Sequence, residues 1–92
     1  MDLSDWRNKI DEMDRRILEL LNERARCALA LAPLKKRAGI PIHEPGREQE
    51  VLDNLAANNG GPLRTEAVRR IFQRIIDEMR SIQQEAMQDE RK

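Results

Sequence analysis

The chain has 92 residues, enough for one domain and too few for a second hydrophobic core. Basic and acidic residues number 17 each, so the formal net charge is zero. Domains that bind nucleic acid usually carry a basic surplus, and this balance argues against that class of partner. Charged residues make up 37% of the chain and aromatic residues 2%, which favours long helices with solvated faces over β-sheet.

The sequence offers no sign of a metal centre, a disulfide or a membrane segment. Cys27 is the single cysteine, and we expect a reduced thiol that packs like a small apolar side chain. No Cys/His spacing of a metal site occurs, so we expect no bound metal. Neither a signal peptide nor an apolar run of membrane-spanning length is present, which predicts a soluble, cytoplasmic protein without a membrane partner.

The first third of the chain carries a heptad pattern of apolar residues, which predicts one helix from Leu3 to about Ala38. The seam positions are Leu3, Trp6, Ile10, Met13, Ile17, Leu20, Arg24, Cys27, Leu31 and Leu34. A guanidinium at position 24 of such a seam costs several kcal/mol of desolvation unless an anion meets it. Lys35 returns to the same side of the helix about 16 Å further along the axis. Together, Arg24 and Lys35 predict a site for an anion.

The length of this helix predicts a second chain. About 35 helical residues extend over roughly 50 Å, whereas a compact chain of this size has a radius of gyration of about 12 Å and a diameter of about 32 Å. The apolar seam of the first half must then be covered by a partner, and we infer a homodimer. Arg7 lies roughly 25 Å from Arg24 along the helix, too far to serve the same site, so it would reach the partner's site.

Turn and capping residues divide the rest of the chain into helices. Ser4 or Asp5 is expected to cap the first helix, and Pro33 predicts a kink or a break near its end. Gly39 is expected to end that helix in the left-handed conformation. A second helix is predicted to begin with Pro45 at its first position.

A third helix is predicted from about Leu63, because apolar residues recur there at helical spacing. The charged tail, residues 88–92, is expected to fray. No strand pattern occurs. The predicted fold is therefore all-α, with one long, one short and one intermediate helix in a single domain spanning residues 1–92.

Polar side chains also interrupt the apolar faces of the second and third helices. Glu48 and its neighbour Arg47 are predicted to point inward from the second helix, and Gln83 lies within the apolar stripe of the third. Together with Arg24 and Lys35, they would form a pocket suited to a small dianion that carries a hydroxyl.

Each of these residues also has a simpler interpretation. Arg24 could pair with a glutamate, and Lys35 could extend to solvent. Gln83 could cap a backbone carbonyl. Arg47 and Glu48 could occupy an exposed first turn.

At these positions the sequence resembles the all-helical class of chorismate mutases. The matching segments are WRNKIDEMD (6–14), NER (22–24), LKK (34–36), IHEPGRE (42–48) and residues 71–84. The resemblance implies an intertwined homodimer that rearranges chorismate to prephenate, a unimolecular Claisen rearrangement without cofactor or covalent intermediate. It also implies a place in aromatic amino acid biosynthesis, as a stand-alone enzyme or as the mutase domain of a bifunctional shikimate-pathway enzyme.

The resemblance further implies a role for each matching polar residue. Arg24 of one chain and Arg7 of the other would hold the two substrate carboxylates. Lys35 and Gln83 would donate hydrogen bonds to the ether oxygen, where negative charge grows as its bond to carbon breaks. Glu48 would bind the ring hydroxyl.

Three further positions complete the implied substrate-binding set. Arg47 would shape the pocket electrostatically, and the backbone near Glu44 would contact the same end of the substrate. Met79 departs from the family, since many members have a small hydroxyl residue there. One carboxylate contact would therefore be missing, or be supplied by Arg80 or Ser81.

Other functions fit the same features. An isochorismate-pyruvate lyase would use a similar cationic pocket for a similar dianion. A regulatory mutase-like module would bind prephenate or assist a fused or associated pathway enzyme without efficient turnover. A purely structural helical dimer would bind neither substrate nor transition-state mimic.

Overall fold

The computed structural model describes residues 1–90, and it consists of three helices: α1 (Leu3–Ala38), α2 (Pro45–Ala57) and α3 (Thr65–Glu90). Within these residues there is no strand, so the all-α prediction is confirmed. None of the three helices combines the length and the apolar character needed to cross a membrane. α3 continues regularly past position 88 to Glu90, and the last two residues of the tail expected to fray lie outside the described range.

The ends of α1 are fixed by local hydrogen bonds. The N-cap is Asp2, not Ser4 or Asp5 as expected: its carboxylate accepts from the Asp5 amide at 2.9 Å, while the Asp5 carboxylate accepts from the Asp2 amide at 3.1 Å. This reciprocal pair is a capping box, and it starts the helix earlier than a single cap at Ser4 would. At the other end Gly39 adopts the left-handed conformation, with φ +70°, as predicted.

α1 runs through Pro33 without a break, and that part of the expectation is wrong. A proline inside a helix removes one backbone donor, and its ring crowds the preceding turn. Tertiary packing offsets this loss, since Ala28 and Ala32, on the turns beside Pro33, are the buried residues of α1. Their small side chains allow α3 to approach closely, and α3 packs against both α1 and α2.

The first half of α1 projects beyond the other two helices. The molecule measures 53 × 29 × 15 Å, and its radius of gyration is 16.5 Å. That value exceeds the ~12 Å of a compact chain of this length. Every residue from 3 to 20 is exposed, including the seam residues Trp6, Ile10 and Ile17, each more than half exposed. The predicted excess length of the first helix is thus confirmed, and its apolar face is uncovered within the chain.

Candidate active site

A cavity of ≈ 250 Å³ lies where the second half of α1, the beginning of α2 and the second half of α3 meet. It brings together every predicted site residue except Arg7: Arg24, Lys35, Glu44, Arg47, Glu48, Met79 and Gln83. Its remaining lining residues are Cys27, Ala28, Leu31, Ile42, Val51, Ile76 and Arg80. Among the described residues, a wider depression of ≈ 630 Å³ beside the α1–α2 loop has no carboxylate or arginine in its lining, whereas the lining of the smaller cavity includes both.

Lys35 is held at the cavity by two contacts to the α1–α2 connection. Its Nζ donates to the backbone carbonyl of Ile42 at 3.0 Å and forms an ion pair with Glu44 Oε1 at 2.6 Å. Only 11% of the side chain is exposed, which contradicts the interpretation that Lys35 extends to solvent. An ammonium group has three donors, so one N–H of Lys35 is left for a ligand.

Gln83 is buried, and its amide Nε2 donates to the backbone carbonyl of Ala28 at 2.8 Å. This contact is the carbonyl cap of the simpler interpretation, and it occurs within the cavity lining. Gln83 can cap this carbonyl and also donate to a ligand in the cavity, because the amide nitrogen carries a second N–H. The hydrogen bond to α1 fixes the direction in which that second donor points.

Glu48 accepts a forked pair of hydrogen bonds from Arg80 on α3. Arg80 Nη2 lies 2.9 Å from Oε1 and Arg80 Nε lies 3.3 Å from Oε2, while His43 Nε2 is 3.6 Å from Oε2. Arg80 also donates to Asp77 at 2.9 Å. The hydrogen bond to Glu48 is the main cause that raises the pKa of Arg80, and hydrogen bonds from Gln73 and then Arg80 lower the pKa of Asp77.

From the sequence, Arg80 is expected only as a substitute contact for a substrate carboxylate, and its pair with Glu48 is not predicted. Helical spacing places Arg80 on the cavity face, because it lies four residues after Ile76 and three before Gln83. That signal is available in the sequence. Ser81, the other substitute, does not line the cavity, whereas Met79 does.

Arg24 is half-buried and lines the cavity. Within residues 1–90 it forms no hydrogen bond or ion pair, so Arg24 has no glutamate partner in this part of the chain. The other cations of the lining all have carboxylate partners: Lys35 with Glu44, Arg80 with Glu48, and Arg47 with Glu50. The cavity therefore presents one unmatched positive charge.

Three predicted residues lie differently from the sequence expectation or outside the cavity. The Arg47 guanidinium does not point inward, because it donates to Glu50 at 2.7 Å and is 59% exposed at the cavity rim. A neighbour three residues away on the same helix competes successfully for such a long side chain. Cys27 is exposed in the single chain, as Leu31 and Leu34 of the same seam are, and it lines the cavity. Arg7 is exposed on the first half of α1 and lies outside the cavity, as expected for one chain.

In the described part of the chain, no three His, Cys, Asp or Glu residues are grouped so that they could share a metal ion. The cavity itself offers fixed hydrogen-bond donors and charges. An ammonium, an amide and an unmatched guanidinium face the same space, beside a carboxylate that can accept from a hydroxyl.

Comparison with known proteins identifies the family. The family model described as chorismate mutase type II matches residues 6–84. The bifunctional chorismate mutase/prephenate dehydratase of Aquifex aeolicus is 37% identical over 86 residues, which cover 89% of this chain and 24% of that protein. The chain spans about a fifth to a quarter of the length of the bifunctional relatives that it matches.

Two solved structures share the fold, and their sequence identity to this chain is 30% or more. A chorismate mutase (Form II) from Thermus thermophilus has a TM-score of 0.87 and 33% sequence identity, covering 89% of this chain and 93% of that one. A chorismate mutase from Helicobacter pylori in complex with prephenate has a TM-score of 0.86 and 30% identity, covering 94% and 93%. The chain therefore belongs to the type II chorismate mutase family.

Proposed function

We propose that this chain catalyses the rearrangement of chorismate to prephenate. The observation that carries the proposal is the meeting of Arg24, Lys35, Glu48 and Gln83, from three different helices, around one cavity of ≈ 250 Å³. Membership of the type II family supports the same reaction. The Helicobacter pylori relative, solved with prephenate, supports the same class of ligand.

The reaction moves no proton, so no general base is needed. Catalysis must come from holding the reactive conformer and from fixed positive charge at the ether oxygen, where negative charge develops. Lys35 and Gln83 suit this task because other contacts already orient their side chains: Lys35 is held by Ile42 and Glu44, and Gln83 by Ala28. Donors fixed in advance need no reorganisation during the reaction, which is the condition for strong electrostatic stabilisation.

The carboxylates of the substrate would be bound by Arg24 and the partner's Arg7. Arg24 is the lining cation without a carboxylate partner in residues 1–90, and Arg7 forms no ion pair in the same range. Two unmatched guanidinium groups balance two carboxylates, and each can form a bidentate pair. This charge balance supports a site completed by the second chain.

The remaining residues would shape the site. Glu48 would accept from the ring hydroxyl, and the backbone near Glu44 would contact the same end of the substrate. Arg47 would add positive charge at the rim, although its guanidinium is shared with Glu50. Met79 would form an apolar wall without a hydrogen bond to a carboxylate.

A homodimer is part of this proposal, and the apolar seam of α1 is its interface. We expect Ile17→Lys, on that seam and 53% exposed in the single chain, to convert the dimer into monomers and to abolish activity. Size-exclusion chromatography with light scattering measures the first effect, and a chorismate assay the second. Glu19→Lys is the matched control, because position 19 lies about 200° around the helix from position 17. A dimeric, active Ile17→Lys protein would refute this interface.

The test of the function is a direct assay with purified protein. We expect chorismate absorbance to fall with stoichiometric formation of prephenate and without an added cofactor. Formation of pyruvate and salicylate from isochorismate would instead indicate the lyase. Weak turnover that rises strongly on addition of a pathway enzyme would indicate the regulatory module.

A bicyclic dicarboxylate that mimics the transition state provides the binding readout. Ligand that binds only the native state raises the melting temperature, so a saturable increase is expected. No turnover together with no saturable binding would refute the proposed function and favour a structural dimer.

We further propose that residues 1–92 act as a single mutase unit, alone or beside a fused or associated shikimate-pathway enzyme. The match to the mutase/dehydratase of Aquifex aeolicus over 24% of its length supports this view. A cytoplasmic location belongs to the same proposal and is supported by relatives that act in biosynthesis.

A further inference from the structure

Arg80 connects α3 to α2 at the cavity. Its Nη2 and Nε groups reach the two oxygens of Glu48 at 2.9 and 3.3 Å, over a separation of 32 residues in the chain. Both side chains are largely covered, with 23% of Arg80 and 17% of Glu48 exposed. A forked guanidinium–carboxylate pair fixes orientation as well as distance.

Arg80 is itself fixed from the opposite side. Asp77, one turn earlier on α3, accepts from the same Nη2 at 2.9 Å. The guanidinium is therefore held between two carboxylates, and its freedom to turn toward a ligand is small. Its Nε and Nη2 groups are engaged, so contact with a ligand would depend on Nη1.

Charge gives Arg80 a second effect. Glu48 places a carboxylate in a cavity for which we propose a dianionic substrate, and like charges at short range in a partly buried site repel strongly. A guanidinium paired with Glu48 offsets that repulsion. The carboxylate oxygens nevertheless keep lone pairs that can accept from a hydroxyl.

We propose that Arg80 is a positioning residue, which orients Glu48 toward the ring hydroxyl of the substrate and offsets the charge of its carboxylate. This inference rests on the proposed function. It assigns Arg80 no contact with the substrate, so its contribution depends entirely on Glu48.

A double-mutant cycle tests that dependence. Arg80→Gln is expected to raise KM about tenfold, with kcat changed less than about threefold, because the lost interaction acts on substrate binding. In a Glu48→Gln background the same change is expected to alter kcat/KM by less than about twofold, since coupled residues lose their effects together. Arg80→Lys keeps the charge and loses the fork, and it should fall between Arg80→Gln and the unmodified protein.

Arg69→Gln is the matched control, because Arg69 also joins α3 to α2, through Asp53 at 3.0 Å, away from the cavity. It should keep the KM of the unmodified protein. Circular dichroism checks folding, and the double-mutant cycle can be measured with Arg80→Lys if Arg80→Gln does not fold.

Equal losses of kcat/KM in both backgrounds would show direct contact between Arg80 and substrate, and an unchanged KM would show that Arg80 has no role. Either result overturns the inference while the proposed function stands, whereas an unmodified protein without turnover overturns both.

Discussion

Lys35→Ala is expected to lower kcat about a hundredfold or more, while the chain stays helical and dimeric. On the proposed mechanism the variant removes a donor to the ether oxygen, and loss of one such donor costs about 3 kcal/mol of transition-state stabilisation. The cost to folding is smaller, about 1 kcal/mol for the lost contacts to Ile42 and Glu44. Steady-state kinetics on chorismate measures the first effect, and thermal unfolding measures the second.

Lys36→Ala is the control for this prediction. It changes the same residue type at the next position of α1, and Lys36 does not line the cavity. Its kcat should stay within about twofold of the unmodified protein, in line with surface substitutions away from a site. A Lys35→Ala protein with near-normal kcat would remove Lys35 from the mechanism.

Mixing two inactive variants is expected to restore activity. Arg7→Ala and Arg24→Ala should each lose most of their activity, because in the proposed homodimer each would remove one carboxylate anchor from every site. In a mixed dimer, one site receives Arg24 from the first variant and Arg7 from the second, so it is intact. If chains exchange freely, half of the dimers are mixed and about a quarter of all sites are intact. Activity after co-refolding should therefore approach one quarter of that of the unmodified protein.

A second mixture controls for nonspecific rescue. Arg24 and Lys35 line the same cavity of one chain, so mixing Arg24→Ala with Lys35→Ala leaves a defect in every site. That mixture should remain inactive. Recovery in the control, or its absence in the Arg7→Ala and Arg24→Ala mixture, would contradict a site shared between two chains.

Local sequence signals predicted most of the fold. The heptad seam predicted the long first helix, Gly39 predicted its end, and Pro45 predicted the start of the second helix. These signals are local, because helix ends depend on the backbone preferences of neighbouring residues. The prediction of a break at Pro33 was wrong, because tertiary contacts of Ala28 and Ala32 outweigh the local cost of a proline inside a helix. Packing between distant helices cannot be read from local preference.

The candidate site was predictable where polar residues interrupt apolar faces. Arg24, Lys35, Glu48 and Gln83 were found in this way, and all four line one cavity. The pair between Arg80 and Glu48 was not found. It joins residues 32 positions apart, and helical periodicity gives the face of a residue but not the identity of its partner on another helix.

In the proposed homodimer, the exposed first half of α1 makes folding depend on association. No residue from 3 to 20 is buried, and an isolated helix of that length is only marginally stable in water. On the proposed assembly, each chain completes its native structure only when it meets another, so unfolding becomes a bimolecular equilibrium. Thermal stability then depends on protein concentration, and dilution removes ordered structure together with the site.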